Sequence, residues 1–457
     1  MIDNEFICKK YKDNTMKILI LDVYPDVDYR ISKDQNGGYG TANDYGDSFF
    51  SKILKFFVKG SIDFPPLYSV QVCGELLTMK HEVFFKRKEK NFEHYDLIIV
   101  PSSIVCHETE ISQIKEILNF NKKVIVIGPF ASSNPDNFLK IGAKVLKGEP
   151  EMFFHKLTMK DDFFEKLPNL IENHKIYDLD ELSYPAWEVI FKDYIPKMKF
   201  LGKGPAITIY ASKGCPYQCF YYCVYPLQQG RKLRIKSPDN VLKEMIYFYN
   251  KLKVKNFIFR DPVFSLNKNH TIELCDKIIA SNIKFNICIE THLKNIDELL
   301  ADKLSKAGVK LIYVGIETSD EEVKKDAHRS SEINELQVKK VRYLENKGIK
   351  IKAMYIIGLP EDTSGTYMKT LEFSKTIGST YAQFSVFTPY PGTPVFEEYK
   401  DKITSKKYED FNQWKLVFKH KNFSEKDIRN LLDLSYRFYY LRFSWFFKNL
   451  KEFIRVW

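Results

Sequence analysis

Between residues 17 and 158, short apolar runs alternate with segments whose apolar positions recur at helical spacing. Lys17–Asp22, Glu82–Phe85, Asp96–Val100, Lys123–Ile127 and Lys144–Leu146 read as strands, the last of them closing the series. Phe49, Ile53, Leu54 and Phe57 mark a helix over 47–58. Further helices are predicted near Leu67–Met79 and over Glu108–Phe120. Such alternation predicts an open, doubly wound parallel sheet, with ligands over the carboxyl ends of its strands. After a stretch at 160–204 the rhythm resumes. Strands are predicted at Ala206–Tyr210, Asn256–Arg260, Phe285–Ile289, Leu311–Gly315, Ile351–Ile357 and Ala382–Phe387, each followed by a helix. Six consecutive βα units suggest a partial α/β barrel, whose chemistry collects at the carboxyl ends of the strands. Residues 401–457 differ again: aromatic residues interleave with Lys and Arg, and two helices are expected, Ser424–Asp427 opening the second.

At 457 residues the chain exceeds one ordinary core. The expected division is 1–159, a linker at 160–204, a barrel at 205–400 and a helical region at 401–457. The net charge of +11 is spread along the chain without a polybasic block. This favours a solvated lysine-rich surface over a nucleic-acid footprint. No apolar run reaches membrane-spanning length, and Met1–Glu5 does not open like a signal peptide, so a reducing cytoplasm is the expected compartment.

Of eight cysteines, Cys8, Cys73, Cys106, Cys275 and Cys288 are scattered and read as small buried hydrophobes. Cys215, Cys219 and Cys223 instead crowd one loop after the first barrel strand. Clustered thiols ligate soft metals and iron–sulfur clusters. Structural zinc would want a fourth ligand, and no Cys or His follows within the loop. A non-catalytic iron–sulfur carrier or sensor stays open as another class. Gly37–Thr41 could let a ligand approach the backbone but does not fit a dinucleotide fingerprint.

The cysteine loop resembles that of the radical S-adenosylmethionine (SAM) enzymes. Val314–Glu317, Ile356–Thr363 and Thr388–Pro394 resemble recurrent segments of the cobalamin-dependent branch. Gly128-Pro129 and Gly148–Glu151 are similar to the end of its cobalamin-binding domain, and Leu179–Ala186 to its interdomain linker. One departure is visible: the spacing is C-x3-C-x3-C where the family has C-x3-C-x2-C, so the extra residue is expected to bulge. The resemblance implies an α/β protein with an N-terminal doubly wound, Rossmann-like cobalamin-binding domain, a partial (β/α)6 radical SAM barrel and a C-terminal helical extension. It implies that Cys215, Cys219 and Cys223 hold a [4Fe–4S] cluster at which SAM is cleaved to a 5′-deoxyadenosyl radical, and C-methylation of an unactivated carbon. Rearrangement, cyclisation or oxidoreduction without methyl transfer is the alternative. Tyr222, Asp261, Glu290, His292, Glu317 and Gly358 are implied SAM contacts. By loop position, Ser102, Ser103, Gly128 and Gly148 are candidates toward cobalamin. No D-x-H-x-x-G motif supplies a histidine to cobalt, and His107 is only a formal candidate. A small-molecule, lipid or peptide substrate and a one-electron reductant such as flavodoxin or ferredoxin are implied. The basic, aromatic tail reads as helix packing on the barrel, with a membrane surface as the alternative.

Overall fold

The structure, a computed structural model, describes residues 15–159 and 162–456, the side chains of 451–456 excepted. Cys8, the Met1–Glu5 opening and the aromatic side chains at 453 and 457 lie outside the described residues. The chain forms two compact units. One comprises Met1–Asp26, Lys33–Tyr39 and Pro65–Ile195, and the other Val27–Ser32, Gly40–Phe64 and Pro196–Trp457.

The first unit is built on six parallel strands: β1 (Lys17–Leu21), β2 (Glu82–Lys86), β3 (Leu97–Pro101), β4 (Val124–Ile127), β5 (Lys144–Lys147) and β6 (Leu170–Glu172). Their order is β2-β1-β3-β4-β5-β6. β1, β3 and β4 are continuous apolar runs because both faces of a parallel sheet are covered, and Ile18–Leu21, Leu97–Val100 and Ile125–Ile127 are wholly buried. The sheet does not end at residue 146 as expected. β6 adds a sixth strand, pairing Val145 with Leu170 and Leu146 with Ile171. Three residues with one buried position leave too little alternation to be read as a strand.

Strand order reverses beside β1, so the carboxyl ends of β1 and β3 flank a topological switch point, where ligands of such sheets bind. A fully buried ion triad sits there. Lys33 Nζ donates to Asp22 Oδ1 (3.0 Å), to Pro101 O (3.0 Å) and to Glu110 Oε1 (2.8 Å). Glu110 also accepts from Ser103 N at 3.0 and 3.1 Å. Burial pushes the Glu110 carboxyl up to about 7 while Lys33 opposes the shift. The ammonium has no donor to spare, and both carboxylates depend on it.

The second unit carries β7 (Ala206–Ile209), β8 (Asn256–Phe259), β9 (Asn286–Thr291), β10 (Val309–Glu317), β11 (Lys350–Ile357) and β12 (Tyr381–Val386). They lie in chain order, every neighbouring pair parallel, which is the six-unit α/β architecture expected. The sheet curls until Phe200, just ahead of β7, meets Tyr381 of β12 with ring centroids 5.4 Å apart. A hairpin (Arg30–Ser32 with Thr41–Asn43) and helix α1 (Phe49–Lys59) belong to this unit although they precede most of the first in sequence.

The tail forms α2 (Glu425–Tyr440) and α3 (Phe443–Val456). Ser424 opens the first of these, not the second, with a reciprocal Ser424–Asp427 capping box. Before it only short 3-10 turns occur, at Lys400–Lys402 and Tyr408–Asp410. β12 is an edge strand with backbone groups to satisfy. Tyr436 Oη donates to Phe384 O and accepts from Phe384 N, both at 3.0 Å. Tyr440 Oη donates to Ala382 O (2.7 Å) and accepts from Ala382 N (2.9 Å). Trp445 Nε1 donates to Thr380 O at 2.9 Å. α2 is braced in turn on the early segment: Arg429 forks onto Asp44 and Asp47, and Asp433 accepts from Ser51 Oγ at 2.6 Å.

Each tyrosine hydroxyl thus satisfies one buried N–H and one C=O. Replacing Tyr436 or Tyr440 by Phe is expected to cost about 1–3 kcal/mol each, read from chemical denaturation midpoints. An exposed tyrosine such as Tyr247→Phe serves as the unchanged control.

Candidate active site

The cysteine loop leaves β7 through a short antiparallel pairing of Ser212–Lys213 with Arg234–Ile235. Asp261, following β8, holds this exit. Its Oδ1 accepts from Ser212 Oγ (2.6 Å) and its Oδ2 from Ala211 N (3.1 Å). The carboxyl is fully buried, and burial raises it to about 6. Gly214 has φ +86°, and a Cβ there would lie 2.1 Å from Lys232 O, so only glycine lets the chain turn into the loop.

A 3-10 turn spans Gln218–Tyr221, and Cys219 O then accepts from both Tyr222 N (3.1 Å) and Cys223 N (3.0 Å). The extra spacer residue is therefore wound into a helical turn rather than bulged out, contrary to expectation. The N–H of Cys223 simply moves to the fourth residue back. Cys215 is buried, Cys219 and Cys223 half-buried, and all three are free thiols. Burial raises each, and that of Cys223 is raised further by the charges of Cys219 and Cys215.

Arg329 Nη2 donates to Gly315 O at 2.6 Å and lies 3.5 Å from Glu317 Oε1, and its positive charge opposes the rise of the Cys219 thiol. Glu317 ends β10 at a register shift, with φ +65°. A Cβ on Gly315 would lie 2.1 Å from Glu317 Oε1 and 2.8 Å from the guanidinium, so the glycine makes room for this pair. Burial lifts the Glu317 carboxyl and Arg329 opposes it. Tyr222 stands beside them, its ring edge-on to Phe387 at 6.0 Å, its hydroxyl raised by burial and by the charge of Glu317.

Glu290, on β9, accepts from Tyr225 Oη at 3.3 Å; burial raises it to about 7 against the pull of Arg260. His292 Nε2 donates to Ser330 O (2.7 Å) and Nδ1 accepts from Lys294 N (3.3 Å). Burial and the Arg329 charge push this ring down to about 3, leaving it neutral as a brace for the segment carrying Arg329. Gly358 has φ +73°, and a Cβ would meet Ile428 Cδ1 at 2.9 Å. The sequence-predicted Tyr222 and Glu317 thus meet the cysteine loop. Asp261 and His292 brace backbone around it, and Gly358 faces α2.

In the first unit, Ser102 and Ser103 are wholly buried. Ser102 Oγ accepts from Ala131 N (2.9 Å) and Ser103 Oγ donates to Tyr39 O (3.0 Å). Gly128 (φ +111°) packs against Tyr68, and Gly148 (φ +101°) against Asn173 O. These four residues shape the loops at the carboxyl edge of the sheet. His107 packs between the rings of Phe130 and Phe138, at 5.3 and 5.4 Å, and burial lowers it to about 4.

Arg329, Tyr225 and Arg260 were not singled out from sequence. Arg329 and Arg260 sit in segments with no motif of their own, and Tyr225 lies just beyond the last cysteine, where position alone does not show that its hydroxyl reaches Glu290.

Among the described residues no three His, Cys, Asp or Glu side chains converge tightly on one ion. The donor set fits a larger group held by thiolates: three free thiols on one loop, backed by a guanidinium that offsets negative charge.

Residues 209–374 match the family described as the radical SAM superfamily. An uncharacterized methyltransferase of Pyrococcus horikoshii is 25% identical over 376 residues, covering 78% of this chain and 80% of that protein. The structure of the radical SAM methyltransferase TsrM from Kitasatospora setae aligns with a TM-score of 0.61 at 16% identity, over 85% of this chain and 76% of that one. The cobalamin-dependent SAM radical enzyme OxsB aligns with a TM-score of 0.66 at 12% identity, over 98% of this chain and 68% of that one. The three-thiol loop and most of the parallel barrel that carries it lie within the stretch that matches the radical SAM superfamily, and the barrel with the doubly wound sheet ahead of it in sequence has the fold seen in TsrM and OxsB.

Proposed function

We propose that the protein is a cobalamin-dependent radical SAM methyltransferase acting on an unactivated carbon. The observation that carries this reading is the three-thiol loop with Arg329, Glu317 and Tyr222 pressed against it at the strand ends. Support comes from the P. horikoshii relative and TsrM, both named as methyltransferases. When bound, the [4Fe–4S] cluster supplies the electron that cleaves SAM and cobalamin carries the methyl group.

Cys215, Cys219 and Cys223 would hold the cluster. Arg329, oriented by Gly315 O and Glu317, offsets the charge of the thiolates. Tyr222 and Glu317 line the side where SAM's amino group and ribose would lie, with Glu290 deeper in the barrel. Asp261 and His292 keep the loop and the Arg329 segment in place, and Gly358 holds the β11 exit loop against α2. In the first unit, Ser102, Ser103, Gly128 and Gly148 keep the switch-point loops in shape for cobalamin, so backbone rather than serine hydroxyls would face it. A flavodoxin or ferredoxin would donate the electron. A small-molecule, lipid or peptide substrate and a cytoplasmic setting complete the reading, and the free thiols suit a reducing compartment. No described helix is long and apolar enough to cross a membrane. A membrane surface is nevertheless a fitting partner, because Phe49, Phe56, Phe443 and Phe447 are 74–83% exposed on α1 and α3.

Anaerobic reconstitution should give about four irons per chain, reductant-dependent 5′-deoxyadenosine or demethylated SAM, and transfer of label from methyl-labelled SAM into cobalamin. A full cluster that never cleaves SAM would sink the enzyme reading. Cleavage without label reaching cobalamin would favour cyclisation or rearrangement. Cys223→Ala should lose both iron and SAM cleavage. Arg329→Met should retain iron yet cleave SAM about tenfold to a hundredfold more slowly, the cost of one charge-assisted contact in a buried site. Anionic liposomes should float the wild type but not a Phe443→Ser/Phe447→Ser variant; equal failure to float would remove the membrane partner.

A further inference from the structure

Within the second unit, a cavity of about 380 Å³ lies at the end of the barrel away from the cysteine loop. Its strand-borne walls are the first halves of β10, β11 and β12: Leu311, Tyr313, Lys352 and Tyr381–Gln383. The volume falls within the range of small-molecule sites. α1 contributes Phe50, Ile53 and Phe57, while α2 and α3 contribute Tyr440, Trp445 and Phe446. The outer end is rimmed by partly exposed apolar side chains, Phe57 (39%), Phe446 (40%) and Leu441 (61%).

The inner end is different. Glu290, Tyr313, Lys352 and Tyr381 occupy one register level across four strands, so they share the inner face of the barrel. Lys352 lies over the Tyr313 ring at 4.6 Å, and Arg30 Nε donates to Asn43 Oδ1 at 2.8 Å. Neither cation has a carboxylate within ion-pair distance among the described residues, and the lining contains no Asp or Glu. Burial and the Arg30 charge push the Lys352 ammonium down to about 7, against the opposing pull of Cys288 and Glu290, with Arg260 adding to the lowering. Glu290 is itself engaged by Tyr225. Two basic side chains facing an apolar cavity whose lining holds no carboxylate favour an anion between them, which would restore the full charge of Lys352.

We propose that this cavity binds an anionic amphiphile, a molecule with one carboxylate or phosphate head and an apolar chain. The head sits between Lys352 and Arg30, and the chain runs along Ile53, Phe57, Trp445 and Phe446 toward the rim. The site is distinct from the cysteine loop, and its occupancy requires no turnover.

Isothermal titration of full-length, cluster-reconstituted protein with decanoate, decyl phosphate, decanol and decyltrimethylammonium tests this. Decanoate or decyl phosphate should bind at least about tenfold tighter than decanol, as one charge-assisted contact implies. The tighter of the two identifies the head group. Decyltrimethylammonium should not bind. Lys352→Met should abolish the preference for the anion over decanol, and Ala382→Trp, which fills the cavity, should abolish all binding. Equal binding of decanol and decanoate, binding of the cationic amphiphile, or no binding of either anion would overturn the proposal. These three outcomes are read from the wild type alone, so an unfolded variant does not obscure them. SAM cleavage in the same preparation is read separately, so a failed titration leaves the radical reading intact and failed cleavage leaves this one intact.

Discussion

Six parallel strands do not close a cylinder, and much of the second unit answers that constraint. β7 and β12 are left as edges, and the space between them needs a wall. The wall is made from distant parts of the chain: a hairpin and helix near residues 30–59, and two helices after 424. Hydrogen bonds from Tyr436 and Tyr440 to β12 are direct substitutes for a missing strand. Each hydroxyl donates and accepts once, as a strand residue would through its own N–H and C=O. The aromatic tail is therefore part of the barrel, and its Arg429 and Asp433 fasten the early segment to it.

A wall built this way leaves an accessible interior, and charge is distributed along it in a consistent order. On β11, Lys350, Lys352, Met354 and Ile356 are partly open while Ile351, Ala353, Tyr355 and Ile357 are buried, the period of two that sorts inner from outer positions. At the carboxyl end, Glu317 is matched by Arg329 beside the thiols. Glu290 and Lys352 share one level, and Lys352 with Arg30 faces a largely apolar cavity. Electrostatics in such a confined space act more strongly than at the surface. The two ends of the barrel therefore prefer different groups: thiolates with a partly neutralised polar shell above, a single anion below.

Strand and helix alternation was legible because parallel strands buried on both faces are continuous apolar runs. The cysteine loop was legible because three thiols in one loop have few other uses. The rest depends on side chains brought together across long separations. Lys33 reads as one more lysine in a lysine-rich chain, yet it is fully buried between Asp22 and Glu110. Arg329 lies more than a hundred residues from the thiol whose charge it offsets. Lys352 alternates correctly for a strand, but nothing in the pattern says whether the polar face of that strand meets water or an enclosed cavity. β6 is three residues long, below the length at which alternation is informative. The stretches 27–32 and 40–64 come soon after β1, and only tertiary pairing assigns them to the barrel's unit.

The spacing of the cysteines shows why a count of residues is a weaker constraint than the geometry it encodes. What a cluster needs is three thiolates facing one space, and a loop can present them in more than one winding. Cys223 lies one helical turn beyond Cys219, and Cys219 O accepts from Cys223 N as an ordinary helical carbonyl would. The additional residue therefore costs no unpaired backbone group and no unusual dihedral angle. Its consequence is local. Tyr222, rather than a residue one step earlier, becomes the side chain next to the last thiol, and it is the ring that Glu317 and Arg329 face. Tyr221 points elsewhere, its hydroxyl on Glu398 at 2.5 Å and its ring against His328. The longer spacing is thus wound into the turn, and Tyr222 rather than Tyr221 is the ring beside the last thiol.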